Sequence, residues 1–416
     1  MSNQLNSFAV TDASTTALKA AWQQAAQDRA LFWPQLQGVN HMTRTELRRV
    51  DPTSTPSFGQ IASYLLTDSG NWMEQIILEI QLSPITQTGG TVVSYRNDIS
   101  GIIDSIRYYQ AGTFLYQQNY DYLPWHNQVQ LTFEQFTAKQ IAEQILPLAT
   151  RQANAAAGSQ NFFIELPSPF DYYAIPLSLL TSPVRVEIQF KPMLNVIQFD
   201  GSNPQASIQS AWLRCRYVNS SPQLMADLAS ASKENGIMFP MMDLATTQGD
   251  FASLTSNIRF LLSEFKSICA YMGWWARDEA QIVNTTGNVT YEWTNSVAFT
   301  NWNLLDRGIN VINNPDQLSP SYTRLIEIPW VFHCFFNVAN IATAFPMVYS
   351  FCLEPERDLH LSQIFNSGQY DFSRTQSAFL SVFGTAATTG QTRITAYSIY
   401  YNVLILRNGS LTKYTL

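Results

Sequence analysis

The acidic and histidine side chains that could catalyse a reaction are concentrated in one stretch near the C-terminus. Residues 347–374 read MVYSFCLEPERDLHLSQIFNSGQYDFSR and contain Glu354, Glu356, Asp358, His360 and Asp371. Two carboxyl groups flanking a glycosidic bond are the usual catalytic pair of a glycosidase. Glu354 and Glu356 would share one face of an extended strand, but Pro355 between them ends such a strand. We therefore predict a structural role for these acids and no catalytic residue.

The other histidines and cysteines lack the spacing of a metal or redox site. His333 lies in the apolar run IPWVFHCFF, and His360 has no second ligand at metal-binding spacing. The cysteines are far apart and form no CxxC pair, which indicates buried free thiols at Cys215, Cys269, Cys334 and Cys352. The sequence also lacks GxSxG, GxGxxG and Walker-type motifs. We predict no metal site and no cofactor-binding site.

The tryptophans offer one alternative chemistry. The GWW segment at 273–275, with Trp293 and Trp302, could form a platform on which sugars stack. Tryptophan is equally common in sandwich cores and at oligomer interfaces. A two-domain carbohydrate-binding protein or glycan-active enzyme therefore remains an alternative function.

Alternation of apolar and polar residues predicts strands through most of the chain. VRVEIQF at 184–190 and LRCRYV at 213–218 place an apolar side chain at every second position, as a strand with one buried face does. WMEQIILEIQL at 72–82, MVYSFCL at 347–353 and ITAYSIYYNVLIL at 394–406 are apolar on both faces, which is typical of central strands. Turn-forming clusters separate these runs. The pattern indicates an all-β protein of the sandwich or barrel class.

Two helices interrupt the β pattern. Residues 13–32 carry a thin apolar stripe that stops before Pro34, and residues 220–236, SSPQLMADLASASKENG, begin at Ser-Pro and end at Gly. The second helix divides the chain into two β-rich halves. We predict an N-terminal arm with a helix at 1–34, a first β domain at 35–219, a helical linker at 220–249 and a second β domain at 250–416.

The composition favours a surface that is covered by other protein chains. Only 13% of the 416 residues are charged, and 18 of the 24 cations are Arg. Interfaces are enriched in Arg and aromatic residues and depleted in Lys and Glu. The net charge of −7 and the absence of a basic run argue against direct binding of nucleic acid. No signal peptide or apolar span of about 18 residues is present, so we expect neither secretion nor membrane insertion.

Motifs spread over most of the chain follow the order found in one known family. The segments are FGQIASYLLTDSGNWMEQIILEIQLSPI (58–85), SGIIDSIRYYQAGTFLYQQNYDYLPWHNQ (100–128), FFIELPSPFDYYAIPLSLLTSPVRVEIQF (162–190), WLRCRYVNSSPQLMADLASAS (from 212), YSFCLEPE with SGQYDFSRTQSAFLSV (349–382) and YYNVLILRNG (400–409). Together they resemble the double jelly-roll major capsid proteins of nucleocytoplasmic large DNA viruses and their smaller relatives. The departures are GNW at 70–72 in place of Gly-Asp-Leu, the loss of a PSG, and an extra DLHLSQIF.

The resemblance implies two consecutive eight-stranded antiparallel jelly rolls with a few short helices. It implies a structural protein, not an enzyme: a homotrimeric, pseudo-hexameric capsomer that tiles the icosahedral capsid of a double-stranded DNA virus. The implied partners are neighbouring capsomers, penton and minor capsid proteins, and an internal membrane beneath the N-terminal arm. The implied location is the virion, assembled inside the host cell.

Overall fold

The computed structural model describes the β-rich part of the chain in several stretches. They are 42–67, 72–96, 98–119, 121–129, 138, 142–143, 148–170, 174–234, 236–252, 257–278, 299–312, 346–352, 368–375, 377–384 and 391–415. The predicted arm at 1–34 and its helix lie outside these residues.

In the described parts of the first half, twelve strands and two helices have defined bounds. The strands are β1 (Met42–Val50), β2 (Ile61–Leu66), β3 (Trp72–Leu82), β4 (Thr86–Thr88), β5 (Val93–Tyr95), β6 (Ile103–Gln110), β7 (Thr113–Asn119), β8 (Gln160–Glu165), β9 (Val184–Phe190), β10 (Ile197–Phe199), β11 (Ser202–Gln205) and β12 (Ile208–Ser220). The helices are α1 (Tyr122–Val129) and α2 (Leu148–Ala157). Short 3-10 turns occupy Ile99–Ile102, Leu177–Leu179 and Met193–Asn195.

The second half begins with helix α3 (Pro222–Glu234), and its other described residues lie mainly in strands. These are β13 (Ile237–Phe251), β14 (Asn257–Leu261), β15 (Ile268–Asp278), β16 (Phe299–Asp306), β17 (Ile309–Asn310), β18 (Met347–Ser350), β19 (Tyr370–Asp371), β20 (Ala378–Gly384), β21 (Thr392–Arg407) and β22 (Ser410–Thr415). One 3-10 turn, Phe372–Arg374, follows β19.

Each half forms two facing sheets whose four main strands have the same connectivity, and β19 and β22 add to one sheet of the second half. In the first unit, one sheet has the order β1-β12-β3-β8 and the other β2-β9-β6-β7. In the second unit the orders are β13-β21-β15-β18 and β14-β20-β16-β17, and all pairings are antiparallel. Numbering the eight main strands of each unit along the chain gives sheets 1-8-3-6 and 2-7-4-5 both times. This connectivity is that of a jelly roll, so the predicted fold class is confirmed.

The strand assignments follow from side-chain patterning. In β9, every second residue of VRVEIQF is buried, as predicted for a strand that covers a core with one face. The run WMEQIILEIQL coincides with β3, which lies between β12 and β8. The run at 394–406 lies within β21, which has a neighbour on each side and is buried on both faces along most of its length.

The helical linker predicted at 220–249 is helical only in its first half. Ser221 precedes α3, and its Oγ accepts a hydrogen bond from the Leu224 amide at 3.3 Å, which caps the helix. Gly236, with a φ of 78°, turns the chain out of the helix. From Ile237 onward the chain is β13, which pairs with β21 over fifteen consecutive positions. Long-range pairing decides the structure of this segment, because its local pattern carries no strong strand signal.

Each unit has its own hydrophobic core, and each core includes a few residues from the other unit. The first core contains apolar residues from β2, β3, β6, β9 and β12, and also Leu404 and Leu411 from the second half. The second core is built on β15, β16, β20 and β21, and also includes Tyr122 and Trp125 from α1. Each unit therefore completes part of the other's core, and this holds the two jelly rolls together.

Candidate functional site

The acids singled out in the sequence have structural roles where the structure describes them. Glu354, Glu356, Asp358 and His360 lie outside the described residues. Asp371 begins the 3-10 turn after β19, and its carboxylate accepts a hydrogen bond from the Ser373 amide at 2.9 Å. The same carboxylate pairs with Arg374 Nε at 3.0 Å. Asp371 therefore caps the turn and pairs with the arginine three residues later in the chain.

No metal or thiol chemistry emerges from the described parts of the chain. They contain no group of three or more His, Cys, Asp or Glu side chains that could hold a metal ion. Cys215, Cys269 and Cys352 are buried and form no disulfide, as predicted, while Cys334 and His333 lie outside the described residues. Burial raises the pKa of the Cys215 and Cys269 thiols to about 12, and a thiol in this state is a poor nucleophile.

The tryptophans of the suggested sugar platform are core residues. Trp274, Trp275 and Trp302 are at most 1% exposed. The Trp274 ring centroid lies 4.7 Å from that of Phe299 and 5.8 Å from that of Trp302. Trp293 lies outside the described residues. Because a stacking platform needs an exposed ring face, these three tryptophans cannot provide one.

The most distinctive polar and aromatic cluster lies between the two jelly rolls. Helix α1, which belongs to the first unit, packs against the outer face of the sheet β13-β21-β15-β18 of the second unit. The Tyr397 ring lies 5.5 Å from Tyr122 and 5.1 Å from Trp125, between ring centroids. Trp125 sits against the backbone at Gly273, where a Cβ atom would overlap the indole ring. Gly273 therefore makes room for a close approach of α1 to the second unit.

A buried group of charges lies beside these rings. Asp121, in the turn before α1, forms ion pairs with Lys191 of the first unit and with Arg277 of β15; its Oδ2 is 2.5 Å from Arg277 Nη2. The three side chains are at most 9% exposed. The Arg277 guanidinium also stacks on Trp275, with Cζ 4.1 Å from the ring centroid. One carboxylate thus bridges cations from both jelly rolls.

Burial lowers the pKa values of the two cations in this group. Removal from water lowers the pKa of Lys191 well below its usual value and that of Arg277 to about 10. Arg277 stays protonated at neutral pH at this pKa, and Asp121 is the anion that it contacts. Removing that anion would take away a buried charge contact of both cations, which is strongly destabilising.

The C-terminal hairpin forms a second contact between the units. The Gln110 side chain, at the end of β6, accepts a hydrogen bond from the Leu411 amide at 2.6 Å and donates one to the Gly409 carbonyl at 2.9 Å. The Gly409 carbonyl also accepts from the Thr181 amide at 2.9 Å. Lys413 Nζ lies 4.8 Å from the Phe114 ring centroid of β7. Strands β21 and β22 therefore extend from the second unit onto the first.

Asp243 anchors that hairpin from within the second unit. Its Oδ2 accepts hydrogen bonds from Tyr400 at 3.1 Å, Asn402 at 3.1 Å and Lys413 at 2.6 Å. The carboxylate is 2% exposed. Burial, then the nearby Asp243 charge, raises the pKa of the Tyr400 hydroxyl above its usual value. These groups are saturated by one another, so this part of the interface serves as a joint and offers no free catalytic group.

The sequence did not reveal this interface. Asp121, Trp125 and Arg277 come from segments whose local patterns are those of a turn, a short helix and a strand. The available signal was the apolar character of 394–406 on both faces, which shows that other elements must cover both faces of β21. It does not show what covers it.

The described residues include no helix that is long and apolar enough to cross a membrane. No protein-family model matches the sequence, and a search of curated proteins found no match. Solved structures, in contrast, match almost the whole chain.

Three of these structures illustrate the similarity. The PBCV-1 virus capsid protein has a TM-score of 0.69 at 15% identity, with 91% of this chain and 98% of that chain covered. The Faustovirus major capsid protein has a TM-score of 0.66 at 10% identity, covering 95% and 99% of the two chains. The mavirus major capsid protein has a TM-score of 0.52 at 9% identity, covering 93% and 94%. With two jelly rolls of identical connectivity joined side by side, this chain has the double jelly-roll fold of viral major capsid proteins.

Proposed function

We propose that this chain is a major capsid protein that forms a homotrimeric, pseudo-hexameric capsomer in the icosahedral shell of a double-stranded DNA virus. The observation that carries the proposal is the pairing of two jelly rolls with the same strand order in one chain. Three such chains would supply six similar units, which suits a near-hexagonal lattice built from one gene product. The proteins with the same fold named above are capsid proteins by their titles.

The composition supports a protein that is extensively covered by other copies. Only 13% of the residues are charged, and 18 of them are Arg while only six are Lys. The chain therefore has few charged side chains for the solvent-exposed surface of a monomer. Large obligate interfaces favour this balance. The proposed location is the virion, with assembly inside the host cell and no secretion.

The finer assignments follow the same proposal. The domains are an arm at 1–34, a first jelly roll at 35–219, a linker that begins at 220 and a second jelly roll that extends to 416. The arm would lie beneath the shell, near neighbouring subunits or an internal membrane. Penton and minor capsid proteins are the further partners, and neither nucleic acid nor a cofactor is bound directly. The protein would have no catalytic site.

The alternative is a carbohydrate-binding protein or glycan-active enzyme, and it is weakened by the burial of three of its four proposed tryptophans. The two functions are separated by one preparation. The purified full-length protein should sediment as a trimer, and negative-stain electron micrographs should show particles with a pseudo-hexagonal outline. A monomer at all accessible concentrations that binds or cleaves glycans would contradict the capsid proposal.

A further inference from the structure

The two jelly rolls differ in how much of their equivalent sheets is covered. Strand β21 is the eighth main strand of the second unit, and it is buried on both faces over most of its length. Strand β12 is the eighth main strand of the first unit, and it alternates between buried and exposed positions through Leu213–Tyr217. The difference arises because α1 of the first unit covers the outer face of the β21 sheet at Tyr397 and Gly273, while β7 lies against β13 and β22. Within the described residues, the β12 sheet has no such cover.

The elements that provide this cover have a counterpart in the second unit. The first unit reaches its neighbour through the β6–β7 hairpin, whose turn residues Ala111 and Gly112 have φ values of 49° and 83°. The equivalent β16–β17 hairpin turns at Arg307 and Gly308, with φ values of 50° and 80°. Both are two-residue turns with positive φ at each central position, so the two hairpins share one geometry. Ile309, the first residue of β17, is 72% exposed.

The outer face of the sheet β1-β12-β3-β8 has the side chains of an interface. Leu47 is 67% exposed and Phe163 is 38% exposed, and they lie on the two edge strands, β1 and β8. Between them lie the side chains of Trp212 and Arg216 of β12, and Arg49 of β1 stacks on the Trp212 ring at 4.0 Å. Exposed Leu, Phe and Arg around a half-buried Trp on one sheet face favour contact with another protein surface.

We propose that this face binds the β16–β17 hairpin of a second copy of the chain, repeating between chains the contact that the β6–β7 hairpin makes within one. The inference rests on the proposed capsomer and names the surface that builds it. The interface is head-to-tail, because the two patches in contact are different. Such an interface closes into a ring when its rotation divides a full turn. Three chains with two jelly rolls each would form a ring of six jelly rolls. Leu47 and Ile309, the two most exposed large apolar side chains among the described residues, would then be buried.

The test places a charge on the proposed face without disturbing the core. Leu47→Asp acts on an exposed side chain, so the subunit should keep its fold, and burial of the new carboxylate at the interface should weaken association at least tenfold. The matched control is Leu65→Asp, at a leucine that is 41% exposed on the opposite sheet of the same unit. Arg216→Glu, at a side chain that is 45% exposed, is a second variant on the proposed face. The full-length proteins are compared by sedimentation velocity over a concentration series, with circular dichroism as the check on folding.

A direct measurement of proximity complements the variants. With cysteines at Leu47→Cys and Ile309→Cys in one chain, a bismaleimide should join subunits into covalent dimers and trimers, and neither single variant should be cross-linked. Support for the proposal is a trimer for the wild type and for Leu65→Asp, with smaller species for both variants on the proposed face. If the wild type is trimeric and Leu47→Asp, Arg216→Glu and Leu65→Asp assemble equally well, the proposed face is wrong while the capsomer stands. A monomeric wild type overturns both.

Discussion

The contact between Trp125 and Gly273 gives the sharpest prediction about how the two jelly rolls are joined. A Cβ atom at position 273 would lie less than 3.0 Å from three carbon atoms of the Trp125 indole. The indole is fully buried and held between Tyr122 and Tyr397, with centroid distances of 5.7 Å and 5.1 Å. It cannot move aside without losing those contacts. Overpacking of this kind costs about 1–3 kcal/mol, and a rigid ring that is held on two sides places Gly273→Ala at the upper end, about 3 kcal/mol.

The matched control and the double variant identify the cause. Gly158→Ala should change stability by about 0.5 kcal/mol or less, because a Cβ there meets no atom within 4 Å. Trp125→Ala should cost about 3–5 kcal/mol through the cavity that it leaves. In the Trp125→Ala background the clash is gone, so adding Gly273→Ala should cost little more. The free-energy cost of the double variant would thus be well below the sum of the costs of the two single variants.

The free energies are measured by urea unfolding followed by circular dichroism, at one protein concentration for all variants because association adds to apparent stability. The reasoning would be refuted if Gly273→Ala were as stable as Gly158→Ala. It would also be refuted if Gly273→Ala cost the same with and without the Trp125 side chain, since the cost would then not come from this contact.

Three further predictions concern ionisable groups that are buried or half-buried. Asp121→Asn should destabilise the protein by about 3–5 kcal/mol in the same urea assay, because it removes the buried carboxylate that Lys191 and Arg277 both contact. Cys215 and Cys269, with pKa values of about 12, should resist a maleimide at pH 8 in the native protein and react after unfolding, as read by peptide mass spectrometry. Burial and the neighbouring carboxylate raise the pKa of Tyr370 to about 12, so the folded state binds this proton more tightly than the unfolded state. Its stabilising contribution is complete below pH about 10 and is lost as the pH rises towards 12; the urea midpoint should fall less steeply over this range in Tyr370→Phe.

The fold was predictable because its strands carry their own pattern. The alternation in VRVEIQF predicts one buried face, and the structure buries every second residue of β9. The two-sided apolar run at 72–82 predicts a central strand, and β3 is one. Period-two patterning is a local property of the chain, so it can be recognised without knowing which strand lies alongside.

Other features were not predictable from local patterns. Residues 237–251, IMFPMMDLATTQGDF, contain Pro, Gly and several polar residues, and the sequence analysis assigned most of them to a linker. They form a strand because β21 pairs with them along their whole length. The tryptophans at 274, 275 and 302 could equally have formed an exposed platform or a core, since the residue type suits both environments. Only the packing of the two sheets places them inside.

The sequence by itself determined that this is an all-β chain with two β-rich halves separated by a helix, because strand periodicity and helix stop signals are local. The tertiary structure alone decided how the halves are joined. Asp121 meets Arg277 across 156 positions of sequence, and Gln110 meets Leu411 across 301. Contacts at such separations depend on where two folded sheets come to lie, and no spacing rule within a segment encodes that position.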